Sequence, residues 1–147
     1  MAKPENLLIG RVHRKLPPEP PKLMSVPPAG LGPPGKFLYR EKMHNIYRGG
    51  TADMWYSGPQ DLWVEWKWEN KLPKKLVKPD CSPLQKLWLN GRHVEGRNVC
   101  VILGSKDGCV VFTAPYQWLE GVVRDEVLVH SEKQIAEWIT EQCGLGP

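Results

Sequence analysis

Residues 61–69, Asp-Leu-Trp-Val-Glu-Trp-Lys-Trp-Glu, alternate with a period of two, Trp63 alone being apolar on the charged side. In an extended chain Leu62, Val64, Trp66 and Trp68 fall on one side, and Asp61, Trp63, Glu65, Lys67 and Glu69 on the other. A period of two cannot be met by a helix, so this segment demands a strand, and the apolar side demands a core to lie against. Upstream, Thr51–Tyr56 is rich in strand formers, follows the flexible pair Gly49-Gly50, and closes on Ser57-Gly58-Pro59. The two segments read as a β-hairpin. Asp53 then stands near the start of the first strand, beside Glu65 and Lys67 on the second.

The remaining elements arrange themselves around that hairpin. Residues 5–16 space Leu7, Leu8, Val12 and Leu16 at helical period, and Pro17-Pro18 stops the helix. From Pro17 to Pro34 there are eight prolines in eighteen residues, a composition for an extended arm or linker. Residues 36–47 have the aromatic and basic content of an irregular strand. A basic connector carrying Lys71, Lys74, Lys75 and Lys78 leads to Ser82-Pro83-Leu84-Gln85, which has the form of a capping box with proline at the first helical position, and the helix runs to about Asn90. Val99–Leu103 and Cys109–Thr113 read as a second hairpin across Gly104–Gly108, residues 115–121 as a short helix, and Ser131–Cys143 as a last helix with its own capping box, Ser131 and Gln134, ended by Gly144. This order predicts one α/β sheet layered with helices in a single domain, with residues 1–16 as its first helix, 17–35 as an arm, and 36–147 as the main body. There is no internal repeat.

Charge and cysteine usage narrow the classes further. Residues 1–50 hold nine Lys and Arg against three Glu, whereas residues 51–147 hold eleven against thirteen acids. A basic first third suits contact with phosphates, or is a solvated terminal arm. Cys81, Cys100, Cys109 and Cys143 form no CxxC pair, so reduced thiols in a cytoplasmic protein are expected. No stretch approaches the roughly 18 apolar residues of a spanning helix, which predicts a soluble protein with no membrane partner. His13, His44, His93 and His130 lack the spacing of a zinc site and are expected in the core or at the surface.

Three side chains carry a recognisable chemistry. Hydrolysis of a phosphodiester with a metal needs hard oxygen ligands, a placed water and a cation to offset charge, and Asp53, Glu65 and Lys67 supply these groups. The same residues admit plainer roles. Glu65 and Lys67 could be charges that discourage edge pairing of a strand, Asp53 could end the Gly-Gly turn, and Gln85 could be a capping residue alone.

Gly50-Thr51-Ala52-Asp53 followed by Val64-Glu65-Trp66-Lys67 resembles the signature of the PD-(D/E)xK nuclease superfamily, an acid after a turn and then a strand bearing Glu-x-Lys. Ala52 stands where that signature usually has proline. The helix start Ser82-Pro83-Leu84-Gln85, continued by Lys86-Leu87-Trp88 ahead of Val99–Leu103, looks like the corresponding helix of the VRR-NUC and Holliday-junction-resolvase-like branches. The likeness spans about residues 44–115.

The resemblance implies a restriction-endonuclease-like mixed central sheet flanked by helices. It implies Mg²⁺, with Mn²⁺ able to substitute, held by Asp53, Glu65, the backbone carbonyl of Trp66 and Glu5 on the first helix. Lys67 would orient the water or stabilise the developing charge, and Gln85 would support the site. The partner would be DNA, branched DNA first, contacted by Arg40, Lys42, Arg48, Lys71, Lys74, Lys75 and Lys78, with Trp63 packed beside its backbone. A homodimer would present two such sites. The alternatives are a non-catalytic nucleic-acid-binding or inhibitory module on the same fold, and a homing or restriction enzyme that cuts at one sequence.

Overall fold

The period-two segment is the middle of the sheet. The computed structural model describes residues 2–20, 37–44 and 49–146. Most of the proline-rich arm and Arg48 therefore lie outside the described residues. The elements are α1 (Pro4–His13), β1 (Tyr39–Lys42), β2 (Met54–Ser57), β3 (Asp61–Trp68), β4 (Leu76–Val77), α2 (Pro83–Val94), β5 (Val99–Ser105), β6 (Gly108–Phe112), α3 (Pro115–Glu120), β7 (Val122–Val123) and α4 (Glu132–Gln142). The main sheet has the order β1-β2-β3-β5-β6, and β4 pairs with β7 in a separate ribbon. Only β3 and β5 run parallel; the other neighbours are antiparallel. The fold is thus a mixed α/β sheet of five strands flanked by helices.

Alternation along β5 sets the two layers. Every residue of β5 is buried, as expected for a strand covered on both faces. Cys100 and Ile102 join Leu62, Val64 and Trp66 of β3 under Leu8, Ile9 and Val12 of α1 and Ile135, Ala136 and Ile139 of α4. Val99, Val101 and Leu103 face the other way, against Leu89 of α2, Trp118 of α3, Val110 and Phe112. Burying each such aliphatic side chain contributes about 1.5–3 kcal/mol.

Several sequence expectations shift in the structure. Helix α1 ends at His13 rather than residue 16, and Leu7, expected in its apolar face, is 51% exposed. The face that packs is Leu8, Ile9 and Val12, with Leu16 buried beyond the helix end. Helix α2 continues past Asn90 to Val94, running through Gly91. Its stop is Gly96 at φ 82°, where the N–H groups of Gly96 and Arg97 return to the carbonyls of His93 and Arg92. Trp68, expected in the core, is half-buried, and its indole N–H donates to Asn70 Oδ1 at 3.0 Å. The connector of lysines contains β4, which its composition did not announce.

The second hairpin is tighter than its glycines imply. Only Lys106 and Asp107 separate the Ser105 and Gly108 pair, so Gly104 lies inside β5. A Cβ on Gly104 would collide with the Leu8 side chain of α1 and stand 3.1 Å from the Trp68 ring. The glycine therefore marks close helix-on-sheet packing. Gly104→Ala is expected to cost about 1–3 kcal/mol, read as a lower urea midpoint. An unchanged midpoint would show that α1 can lift without loss.

Candidate active site

The site begins where β2 ends its pairing with β3. Met54 of β2 stands opposite Val64, and beyond that point β3 has no strand neighbour on this side among the described residues. The Asp53 carboxylate continues the pairing instead: the Trp66 N–H donates to Asp53 Oδ2 at 3.1 Å. A strand residue projects its N–H and C=O to the same side, so the Trp66 carbonyl also faces Asp53. Asp53 is held in turn by its own backbone, whose carbonyl accepts from Met43 N–H at 2.7 Å. The turn leading into it is clamped at Gly50, which adopts φ 93° and sits so close to the Leu84 carbonyl of α2 that no side chain fits. Sheet edge and helix start are locked together there.

Glu65 and Lys67 share the opposite face of β3 from Trp66, as the alternation requires. Glu65 is 2% exposed, at a point where β3 pairs with β5 and the Asp53 carboxylate takes the place of a strand on the other side. That removes the reading of the pair as charges guarding an exposed edge. Lys67 Nζ lies 3.8 Å from Glu65 Oε2. Gln85, from the first turn of α2, joins them: its Oε1 accepts from Lys67 Nζ at 2.9 Å and its Nε2 donates to Glu65 Oε2 at 3.1 Å. The same Oε1 accepts from Ser82 N–H at 2.9 Å, while Ser82 Oγ accepts from Gln85 N–H at 3.1 Å. Capping and site contact coexist in one amide, since a carbonyl oxygen takes two donors.

The electrostatics are those of two acids forced together. Burial pushes the Glu65 carboxyl up to about 9, the Asp53 carboxylate beside it pushes the same way, and Lys67 only partly opposes them. Glu65 Oε1 is buried with no hydrogen-bond partner. Glu5, at the start of α1, is half-buried, and its carboxyl is raised first by burial and then by Asp53, with Lys67 lowering it. A proton or a cation between Asp53 and Glu65 relieves this strain.

The donors fit a hard divalent cation. Asp53, Glu65 and the Trp66 carbonyl offer hard oxygen donors, and buried Glu65 Oε1 meets no protein donor beyond a proton shared with Asp53. Among the described residues no group of three or more His, Cys, Asp or Glu is placed to hold a metal ion, so the protein's own carboxylates do not by themselves make a metal site. A divalent cation held here would need most of its shell from water or substrate, with one or two carboxylates from the protein.

Among solved structures, the chain is similar to Hjc, a Holliday junction resolvase from the archaeal hyperthermophile Archaeoglobus fulgidus. The likeness has 14% identity and a TM-score of 0.46, over 69% of this chain and 87% of that one. No protein-family model matches the chain, and no curated protein does. What a function can rest on is this chain's own geometry.

The residues expected to meet nucleic acid are scattered more widely. Lys42, Lys71, Lys74, Lys75 and Lys78 are exposed. Arg40 turns inward: its guanidinium donates to the carbonyls of His13 at 3.1 Å, of Leu38 at 3.2 Å and of Pro17, and Glu19 stands 3.6 Å from its Nε. It anchors the start of the arm, with Leu38 N–H donating to Pro18 at 2.9 Å. Trp63 stacks on Trp55 at 5.8 Å between ring centres and meets Trp88 edge-on at 5.5 Å. Trp55 and Trp88 were not singled out from the sequence as neighbours of the site. The hairpin register, which sets Trp55 opposite Trp63, was the signal for the first. Cys81, buried near Lys67 and Glu65, was also missed, because nothing local distinguishes a thiol behind a helix cap.

No helix among the described residues is long and apolar enough to cross a membrane.

Proposed function

We propose that this protein is a nuclease of the PD-(D/E)xK kind that hydrolyses DNA phosphodiester bonds with Mg²⁺ or Mn²⁺. The observation that carries the reading is the convergence of Asp53, Glu65, Lys67 and Gln85 from three separate segments, with Glu65 buried against the Asp53 carboxylate. Burying an acid against a second acid is costly, and such an arrangement is characteristic of a functional site rather than of structural packing.

In this reading Asp53, Glu65 and the Trp66 carbonyl hold the cation, and Glu5 approaches from α1. The cation, when bound, supplies Lewis acidity and a water of lowered pKa. The chain's own residues do the positioning. Lys67, fixed by Gln85, keeps its remaining donors for a phosphate oxygen or for the attacking water. Exposed Lys42, Lys71, Lys74, Lys75 and Lys78 contribute sequence-independent phosphate attraction, and branched DNA is the first substrate to try.

The test is incubation with supercoiled plasmid and with a synthetic four-way junction, in Mg²⁺, in Mn²⁺ and in EDTA, with Asp53→Ala alongside. Cutting that needs metal and vanishes in the variant is expected. Absence of cutting from both DNAs under every condition counts for a binding module on the same fold.

Gln85 gives a separable prediction. Ser82→Ala removes one cap bond and is expected to lower stability by about 1 kcal/mol while cleavage persists. Gln85→Ala also frees Lys67 and Glu65, so cleavage should fall by about 10–100-fold, the usual scale for a residue that orients a metal site. Equal cleavage by the two variants would reduce Gln85 to a cap.

A further inference from the structure

Helix α2 buries Leu89 but leaves Leu84 and Leu87 56% and 70% exposed. These leucines, with Gly49, Trp88 and Arg92, line a cavity of about 320 Å³. The Arg92 guanidinium lies 5.6 Å over the Trp88 ring and is held by Glu95 at 2.6 and 3.1 Å. From Trp88 an aromatic row continues through Trp63 and Trp55 to Tyr39, with successive ring centres 5.5, 5.8 and 5.4 Å apart.

The row and the groove abut the acidic site. Trp63 is two residues from Glu65 on β3 and shares its face, and Trp55 stands opposite Trp63 across the hairpin. Leu84 immediately precedes Gln85, which holds both Glu65 and Lys67. A strand with a phosphate at that cluster has these rings beside one of its paths away from it.

We propose that the groove walled by Leu84, Leu87, Trp88 and Arg92 takes an unpaired nucleobase of the DNA strand whose phosphate lies at Asp53, Glu65 and Lys67. This rests on the nuclease reading of that cluster and names its substrate class: DNA with unpaired bases beside the scissile bond. Apolar walls, an indole and a fixed guanidinium are the surfaces on which single-stranded bases stack. A volume of about 320 Å³ is at the small end of ligand pockets, enough for one base and far too narrow for a duplex. Bases inside a duplex have both faces covered by their neighbours, so only an unpaired one can enter. Lys67 supplies positive charge at one end of the path for an adjoining phosphate, while Arg92, paired with Glu95, serves as a stacking surface.

The experiment uses the full chain in EDTA, where binding is read without hydrolysis. The probes are an oligothymidylate carrying one 2-aminopurine and a blunt duplex of equal length. Quenching of 2-aminopurine by stacking is expected, with the single strand bound about tenfold more tightly than the duplex. Leu87→Ser alters a side chain that is 70% exposed, so the fold is preserved. It should weaken single-strand binding about fivefold and reduce the quenching while duplex binding stays unchanged, and Trp88→Leu should do more. Unchanged affinity and quenching in Leu87→Ser would overturn the proposal, as would equal binding of single strand and duplex. Quenching that persists in a protein unable to cut any DNA would leave the groove standing and remove the nuclease. Metal-dependent cutting with both groove variants binding and quenching the single strand as wild type does would do the reverse.

Discussion

Lys67→Ala is expected to lower metal-dependent cleavage by about 10³-fold, roughly 4 kcal/mol of transition-state stabilisation, while DNA affinity in EDTA stays within about twofold. The side chain is 20% exposed and fixed from below by Gln85 at 2.9 Å, so its ammonium is pre-aimed without blocking the site. It is one cation among many for binding, since exposed lysines 42, 71, 74, 75 and 78 contribute to phosphate attraction. For the chemical step it has no substitute near Glu65. Single-turnover cleavage and fluorescence anisotropy separate the two effects. Wild-type rates in the variant would remove Lys67 from the mechanism and leave it a structural partner of Glu65.

Glu65→Gln should abolish cleavage and at the same time stabilise the metal-free protein. The Glu65 carboxyl titrates near 9 in the folded chain against 4.5 for the ordinary group, because burial and Asp53 disfavour its charge. The folded state therefore keeps a proton that the unfolded state gives up. Its contribution to stability is fully present below pH 4.5 and is lost progressively as pH rises through 9. At pH 8 the amide, which has no proton to lose, should make the protein more stable by about 1–3 kcal/mol, a Tm gain of several degrees in EDTA. Mg²⁺ should narrow the gap by stabilising wild type alone, more strongly at pH 8 than at pH 6, because ligand deprotonation accompanies binding. A variant less stable than wild type in EDTA, with the same pH slope, would show that Glu65 is not strained by its surroundings.

The site was legible in part because its strand residues obey local rules. Alternation over residues 61–69 assigned Leu62, Val64 and Trp66 to the core and Glu65 and Lys67 to one common face, and β3 is built that way. The hairpin was readable from Gly49-Gly50 and Ser57-Gly58-Pro59, and it sets Asp53 beside Trp66. The two Ser-x-x-Gln boxes both form, since each needs only contacts three residues apart. Element ends were less legible. Gly91 looks like a helix stop and is passed over, Gly96 acts as one, and Gly104 is a packing contact rather than a turn. One residue type serves all three purposes, and only the neighbours distinguish them.

What the sequence determined by itself is the sidedness of β3, the hairpin that carries Asp53, and the caps of α2 and α4, because period and capping act over two to four residues. What the tertiary structure alone decided is the environment. It buried Glu65 to 2%, brought the Gln85 amide across to it, turned Arg40 in toward backbone carbonyls, and set Trp63 between Trp55 and Trp88. Those outcomes depend on where α2 and α1 settle on the two faces of the sheet. That placement is fixed by long-range packing around Leu89 and Leu8, and no local pattern encodes it.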